Sequence, residues 1–427
     1  MTRAAVLERA GARVFLCDRQ RDLSLQTKPK PPYEVSMKRC ITLAVLMFTS
    51  ATFSMAQTPS SPTSSSPVQR FPKLDHRGTA FAVRVPDQPL LFTGQVFAAT
   101  GSGNPRAEVD AALNALETTL AKAGASLAGV VRLNAYVTDD PSVSVVEAAV
   151  AERFAGTPPA FTLVRSPLTQ AQARVAFDAV ATTSRAPSTV EVVDASAAVL
   201  PAGGKIFISG QVIRGTDLAS GAKLTMGGLF RSLEHLGLGP ADVVQVKAFI
   251  KPFEDHVAAS REIAASFGVG RVPPIIIMEW VSDIYTEIEL VASARDRVID
   301  AANGIVYTML PWLTASPRYC HVSQVAAGTP LIFIGAIDGG DANDPRTQMK
   351  TIFERLGSIL FEAGSSYRNM AKATYYLNDP IARSMLGDIR AVYYDPTRAP
   401  AASALGVNGL GRPGRAAMVD MIAVPIK

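Results

Sequence analysis

The chain has 427 residues, of which 48% are hydrophobic and 19% are charged, and its formal net charge is +5. That length can supply two or three domains with ordinary hydrophobic cores. All of the net charge lies before residue 57, because residues 1–36 carry seven Lys/Arg and four Asp/Glu and Lys38 and Arg39 add two more cations. The rest of the chain is neutral, so charge gives no support for nucleic acid or an anionic membrane as a partner.

Residues 37–56 have the pattern of a secretory signal peptide. Lys38 and Arg39 precede an apolar run, and Ser54-Met55-Ala56 is a small-x-small triplet suited to signal peptidase. The apolar run is shorter than the roughly 18–20 residues of a membrane helix. A buried core helix is the alternative, but the Ser/Pro-rich tract that follows offers nothing for it to pack against. We therefore expect a periplasmic or secreted protein with no membrane segment after cleavage, in which residues 1–36 are a non-native extension and residues 57–77 a linker.

Few residues of the processed chain suggest metal, thiol or other independent chemistry. Cys320 would be its one cysteine, so no intrachain disulfide can form, and a small buried apolar role is favoured over a nucleophile. The four histidines show no metal-ligand spacing, and no Gly-x-Ser-x-Gly elbow occurs. We expect no metal and no cofactor.

A short glycine phrase occurs three times, as LFTGQV at 91–96, IFISGQV at 206–212 and IFIGAI at 332–337. Each copy precedes an amphipathic helical pattern that ends at a glycine able to adopt the left-handed conformation, namely Gly124, Gly237 and Gly364. Twelve residues after each of these glycines an aromatic residue stands in a strand-like segment: Tyr136, Phe249 and Tyr376. The repetition indicates duplication of one folding unit.

The rest of each unit has the same order. A second helical stretch, a proline and a last strand follow; the helical stretches are 143–154, 257–267 and 382–393, and the last strands are 173–181, 286–294 and 416–424. This order predicts an α+β fold in three tandem domains, each with two helices on one face of a sheet. We place the domains at 78–186, 189–298 and 302–427 and refer to them as the first, second and third repeat.

The combined pattern resembles the RidA/YjgF family, the reactive-intermediate deaminases also labelled endoribonuclease L-PSP. The first repeat carries the likeness most fully, in TGQV, AGASLAGVVRLNAYVTD, PPAFTLV and ARVAFDAVA; the second keeps SGQV, VVQVKAFI and EIELVA, and the third is the most diverged. The resemblance implies a chorismate-mutase-like fold and homotrimers with clefts between subunits. Three such domains in one chain suggest a monomeric pseudo-trimer. The short joins between repeats favour this arrangement over three domains that do not pack against one another.

The resemblance also implies hydrolysis of enamine or imine intermediates derived from amino acids. The last-strand carboxylate expected to position the attacking water falls on Asp178, Glu289 and Asp420; the alternative for these residues is a structural bond at a domain interface. The position of the arginine expected to hold the substrate carboxylate falls on Leu168 in the first repeat and near Gly409 in the third. The corresponding segment of the second repeat contains no arginine. Arg165 and Arg412 are the nearby substitutes.

The remaining candidate ligand-binding residues lie at the glycine phrases and at an early aromatic position of the family. The phrases supply Thr93, Gly94, Ser209, Gly210 and Gly335, and the aromatic position falls on Ala80, about Ser196, and His321. A lone histidine is more often structural than catalytic. The clefts with Thr93 or Ser209 are the better places to look for a ligand, because the third copy has lost both the hydroxyl and the amide.

Two functions follow from the sequence. One is an exported hydrolase that acts on imines or related small molecules in one interdomain cleft. The other is a non-catalytic ligand-binding or scaffold protein, which the missing arginines favour. A nuclease role has no separate support, because basic and aromatic residues are not interleaved.

Overall fold

The computed structural model describes residues 67–72, 78–98, 103–268, 270–342 and 344–427. The predicted extension, the predicted signal peptide and most of the predicted linker lie outside these residues. In the part that is described, no helix has both the length and the apolar character needed to cross a membrane.

The elements of the first repeat and the strand before it follow in chain order. They are β1 (Gln69–Pro72), β2 (Ala80–Val85), β3 (Leu90–Thr93), β4 (Val96–Phe97), α1 (Pro105–Lys122), β5 (Val130–Val137), α2 (Pro141–Arg153), β6 (Ala160–Arg165) and β7 (Val175–Thr182). Local sequence starts and ends the long helix. The Asn104 side chain accepts hydrogen bonds from the backbone N–H groups of Arg106 and Ala107, Pro105 occupies the first turn, and Gly124 follows the helix at φ +69°.

The same order of elements occurs in the other two repeats. The second has β8 (Glu191–Asp194), β9 (Ala197–Leu200), β10 (Lys205–Gln211), α3 (Leu218–His235), β11 (Val243–Ile250), α4 (His256–Ala265), β12 (Ile275–Glu279) and β13 (Thr286–Ser293). The third has β14 (Ile305–Thr308), β15 (Val322–Val325), β16 (Leu331–Asp338), α5 (Pro345–Glu362), β17 (Met370–Leu377), α6 (Pro380–Tyr393), β18 (Ala401–Gly406) and β19 (Ala417–Ala423). The predicted α+β content is thereby confirmed, and Gly237 and Gly364 adopt the expected positive φ.

The strands exchange between repeats. β2 of the first repeat pairs with β16 of the third, β9 of the second pairs with β3 of the first, and β15 of the third pairs with β10 of the second. The exchange is cyclic, since each repeat gives its early strand to another and receives one. Among the described residues the strands form a 13-stranded sheet and a 6-stranded sheet. An exchanged strand covers an edge that would otherwise remain open to pairing.

Each glycine phrase lies where its strand gains one extra residue. Ile208 pairs with Leu290 and Gln211 with Ile288, and the third repeat shows the same shift between Ile334 and Ile337. In the first repeat the break separates β3 from β4. A bulge of this kind bends a strand and redirects its side chains.

The buried side chains form two kinds of core. One hydrophobic cluster lies under the helices of each repeat, and two further clusters mix residues of all three repeats; Phe207, Phe333 and Val131 belong to one of these, and Tyr136, Phe249 and Tyr376 to the other. The described residues belong to one compact unit. The surfaces between repeats are therefore packed as interior, and the candidate sites lie along them.

Candidate functional site

The three last-strand carboxylates face equivalent positions on the strand beside them. Asp178 lies opposite Asn134, Glu289 opposite Lys247, and Asp420 opposite Thr374. All three carboxylates are buried. A buried carboxylate must be paired or hydrogen-bonded to remain charged, so their partners decide what each can do.

Asp420 is held by a cation of another repeat. Its carboxylate lies 2.8 Å from the Arg132 guanidinium, and the Tyr376 hydroxyl donates to it at 3.0 Å. Burial lowers the pKa of Arg132, but Asp420, together with Asp178 and the two nearby tyrosines, acts in the opposite direction, and the net pKa is raised. The environment of Asp420 is that of a buried interface pair, and its predicted catalytic role stays a prediction.

Asp178 accepts hydrogen bonds from its own repeat. Asn134 donates from Nδ2 at 2.8 Å and Tyr136 from its hydroxyl at 2.5 Å. Burial, followed by the charge of Asp178, raises the pKa of Tyr136, so the phenol stays protonated and donates. These bonds satisfy the Asp178 carboxylate within the interface.

Glu289 contacts the third repeat through Lys372, at 2.5 Å, and through the Ser403 hydroxyl. Burial raises the pKa of Glu289, but the charge of Lys372 opposes this and the net pKa is lowered. Glu289 is therefore ionised at neutral pH, with its charge already neutralised by Lys372.

One strand position reaches into the neighbouring repeat in all three copies. Arg132, Gln245 and Lys372 are each the third residue of their strand. Arg132 binds Asp420, Gln245 donates from Nε2 to the Thr93 carbonyl at 2.8 Å, and Lys372 binds Glu289. Each interface is thus closed by a different pair of polar groups.

A cavity of about 370 Å³ lies between the second and third repeats. It begins at the second glycine phrase and continues to β18, α6 and the connection between β14 and β15. Its lining residues are Ser209, Gly210, Gln211, Val212, Ile213, Glu287, Leu313, Thr314, Tyr319, His321, Arg390, Ala402, Ser403 and Ala404. Three of the predicted ligand-site residues meet here, namely Ser209, Gly210 and His321, because strand exchange brings His321 beside Ser209.

Glu287 is the carboxylate of this cavity. It precedes Glu289 by two residues on β13, so both side chains leave the same face of the strand. Burial raises the pKa of Glu287 to about 7; Lys372 acts in the opposite direction and Glu289 in the same one. A carboxyl group with this pKa can both take up and release a proton near neutral pH.

Sequence reasoning missed Glu287 because it aligned the last strands on Asp178, Glu289 and Asp420. The positions equivalent to Glu287 are Ala176 and Met418, since each pairs with the aromatic residue of its neighbouring strand. The signal available in the sequence was the alternation Glu287-Ile288-Glu289, which puts a second carboxylate on the same face of the last strand.

Gly210 allows Glu287 to occupy its position. A Cβ atom at Gly210 would overlap the Glu287 carboxylate, whereas a Cβ at Gly335 would meet backbone atoms of Phe161 in the first repeat. At Gly94 the nearest atoms are 3.6 Å away, an ordinary contact. The three glycines of the phrase therefore meet three different surroundings.

Arg390 supplies the guanidinium of the cavity. It lies on α6, is half-buried, and stands 5.1 Å from the centroid of the Tyr375 ring. Its Nε donates to the Leu386 carbonyl at 3.3 Å. Neither predicted substitute lines this cavity: Arg165 pairs with Asp140 and lines a separate cavity of about 400 Å³ with Leu168, and Arg412 is partly exposed in the loop before β19.

Both predicted hydroxyls are hydrogen-bonded, that of Ser209 to the third repeat and that of Thr93 within its own repeat. The Ser209 hydroxyl donates to the Cys320 carbonyl at 2.5 Å and accepts from the Ala402 N–H at 2.8 Å. The Thr93 hydroxyl accepts from the Ala179 N–H at 2.9 Å.

Cys320 is buried, and burial raises the pKa of its thiol to about 12. In the described ranges, no group of three His, Cys, Asp or Glu residues could hold a metal ion.

Comparisons with known proteins agree with the resemblance seen in the sequence. Residues 80–183 match the family model described as Endoribonuclease L-PSP. A YjgF-family protein from Neisseria meningitidis is similar at 19% identity over 29% of this chain and 96% of that one, with a TM-score of 0.22. A member of the YjgF/YER057c/UK114 family from Mycobacterium tuberculosis is similar at 19% identity over 23% of this chain and 85% of that one, with a TM-score of 0.21. Among curated proteins none matches the chain.

Proposed function

We propose, from the match of residues 80–183 to the Endoribonuclease L-PSP family model, that the chain is a single-chain pseudo-trimer that binds a small carboxylate in one interdomain cleft. The cyclic exchange of β2, β9 and β15 supports this arrangement, because each repeat completes the sheet of another. The cleft is the cavity between the second and third repeats.

One observation favours this cleft over the other two interfaces. Glu287 and Arg390 line the same cavity, and the positions equivalent to Glu287 in the other repeats are Ala176 and Met418. A guanidinium matches a carboxylate with two parallel hydrogen bonds. The cavity thus combines an anion-binding group with a carboxyl group that titrates near neutral pH.

The reaction that suits these two groups is imine hydrolysis. Arg390 would bind the carboxylate of a 2-imino acid, and ionised Glu287 would accept a proton from water as its oxygen adds to the imine carbon. That proton passes from Glu287 to the imine nitrogen and gives a carbinolamine. Glu287 then takes the carbinolamine hydroxyl proton and delivers it to the nitrogen as the carbon–nitrogen bond breaks and the carbon–oxygen double bond forms. Both hydrogens of the water end on nitrogen, and the products are a 2-oxo acid and ammonia. Glu287 is the candidate catalytic residue, in place of Asp178, Glu289 and Asp420.

The test is release of ammonia from freshly generated 2-iminobutanoate. We expect Glu287→Gln to lower the rate by roughly 10²–10⁴-fold, and Arg390→Ala to raise KM more than Arg390→Lys does. Asp178→Asn is the matched control, because that carboxylate is satisfied by Asn134 and Tyr136 away from the cavity. If ammonia is not released faster than in buffer alone at high protein concentration, imine hydrolysis is ruled out. The function that remains is ligand binding without catalysis, the second function that the sequence allows.

Export and assembly need separate measurements. The signal peptide is proposed from residues 37–56 alone, and N-terminal sequencing of protein from the periplasm or medium is expected to begin near Gln57. Sedimentation should give a single chain, below the 45.2 kDa of the full sequence. A species three times that mass would contradict the pseudo-trimer.

A further inference from the structure

The connection between β14 and β15 forms part of the wall of the cavity between the second and third repeats. It supplies Leu313, Thr314 and Tyr319 to the cavity wall. The equivalent connection in the second repeat, between β8 and β9, is only residues 195–196, and there the Ser196 carbonyl accepts directly from the Gly94 N–H. Of these two connections, the longer one belongs to the cleft that has Glu287 and Arg390.

Apolar contacts hold the first half of this connection against the second repeat. Leu310 is buried in the core of that repeat. Trp312 packs beside α3, with the Arg231 guanidinium 4.3 Å from its ring centroid and the His235 ring 5.2 Å away, edge-on. The covering segment is thus seated on one repeat while it belongs to another.

The ring of His321 holds the second half. Its Nδ1 accepts from the Leu310 N–H at 2.8 Å, and its Nε2 lies 3.0 Å from the Thr314 carbonyl. Because Nδ1 accepts, the proton is on Nε2 and donates to Thr314, so the ring is neutral and both nitrogens are used. His321 is 3% exposed. A ring bonded in this way fixes the segment and is not free to transfer protons.

We propose that residues 309–319 are a lid over this cleft, that His321 is the positioning residue holding it closed, and that the lid selects carboxylates with an apolar side chain. The ligand part rests on the proposed function; the lid part does not. Leu313 on the lid and Val212 and Ile213 of the second repeat give the cavity apolar side chains, while Arg390 gives the cavity its cation. A ligand bound through its carboxylate would place its side chain among the apolar residues.

The lid is tested without any ligand. Trp280→Phe leaves Trp312 as the only tryptophan of the chain and serves as background. In the Trp280→Phe background, His321→Ala is expected to raise acrylamide quenching of Trp312. It is also expected to speed hydrogen exchange of residues 309–319, while exchange in β5 and β17 stays unchanged. His321→Gln, which can still donate and accept, is expected to restore both. Quenching and exchange in His321→Ala equal to the background would overturn the lid.

Selection is tested with two stable acids, 4-methyl-2-oxopentanoate and 2-oxobutanoate, by calorimetry. Leu313→Ala is expected to weaken binding of the first by roughly tenfold and to leave the second unchanged. Equal losses for both acids would overturn selection by the lid. If neither acid binds the unaltered protein, the proposed function and the selection that rests on it both fail, and the quenching result still decides the lid.

Discussion

The Asp420 carboxylate and the Arg132 guanidinium lie 2.8 Å apart, both buried, and join the third repeat to the first. Removal of one partner leaves the other charged and unpaired in the interior, which costs more than the pair contributes. We expect Asp420→Leu to lower the free energy of unfolding by about 3–5 kcal/mol. Arg132→Met combined with Asp420→Leu is expected to recover most of that loss, measured by denaturant unfolding.

An exposed pair provides the control for this prediction. Glu354 lies 3.6 Å from Lys350 on α5, with both side chains more than half exposed. Glu354→Ala should change the free energy of unfolding by less than about 0.5 kcal/mol. If Asp420→Leu costs no more than Glu354→Ala, the buried pair does not hold the two repeats together.

Asp87 connects all three repeats through one carboxylate. It accepts from the Gly203 N–H at 3.0 Å, from Lys205 Nζ at 2.6 Å and from the Gly328 N–H at 2.6 Å. Burial lowers the pKa of Lys205, and Asp87 acts against that shift. Asp87→Asn removes the opposing charge, so we expect a further fall in the pKa of Lys205 and a loss of about 3 kcal/mol.

The sign of the pH dependence follows from that fall. A lysine whose folded pKa lies below its unfolded value binds fewer protons when folded, so stability rises with pH up to about 10.5, the ordinary pKa of a lysine. Urea midpoints of Asp87→Asn should therefore rise more steeply with pH than those of the unaltered protein. Asp110→Asn, at an exposed pair with Arg106, is the control; equal slopes in all three proteins would refute the prediction.

The sequence predicted the elements well because their signals are local. Helix periodicity, the proline at the first turn and the glycine after the last turn all lie within one segment, as at Pro105 and Gly124. The repeat itself fixed the order of strands and helices in the second and third copies. None of these signals depends on which repeat packs against which.

The cleft could not be predicted in the same way, because its walls come from two repeats. Arg390 lies on α6 of the third repeat, and only the packing of that repeat against the second brings it into the cavity that Glu287 lines. Alternation places Glu287 and Glu289 on one face of β13, and only the positions of Lys372 and Gly210 decide which carboxylate is neutralised and which lines the cavity. The bonds of the His321 ring likewise depend on the conformation of residues 309–319.

Glu287 makes stability depend on pH in a defined direction. Its pKa is raised from 4.5 to about 7, first by burial, so the folded state binds more protons than the unfolded state between these values. Stability is therefore complete below about pH 4.5 and falls as pH rises through 7. This pKa shift changes the free energy of unfolding by at most roughly 3 kcal/mol.

Glu287→Gln should flatten this part of the stability profile. Urea unfolding at several pH values between 4.5 and 8 measures it. Glu279→Gln is a control for the loss of one carboxylate, because Glu279 is partly buried on β12, which β11 separates from β13. An unchanged slope in Glu287→Gln would show that another group titrates in this range.

Gly210 and Gly94 occupy the same place in two copies of one phrase, and they should respond differently to a methyl group. A Cβ at Gly210 overlaps the Glu287 carboxylate, and at Gly94 it meets nothing closer than 3.6 Å. We expect Gly210→Ala to cost about 1–3 kcal/mol, to displace Glu287 and to flatten the pH profile as Glu287→Gln does. Gly94→Ala should be neutral or stabilising by up to about 1 kcal/mol, with the pH profile retained. Urea unfolding across the same pH range measures both variants, and equal effects at the two glycines would mean that Gly210 does not set the position of Glu287.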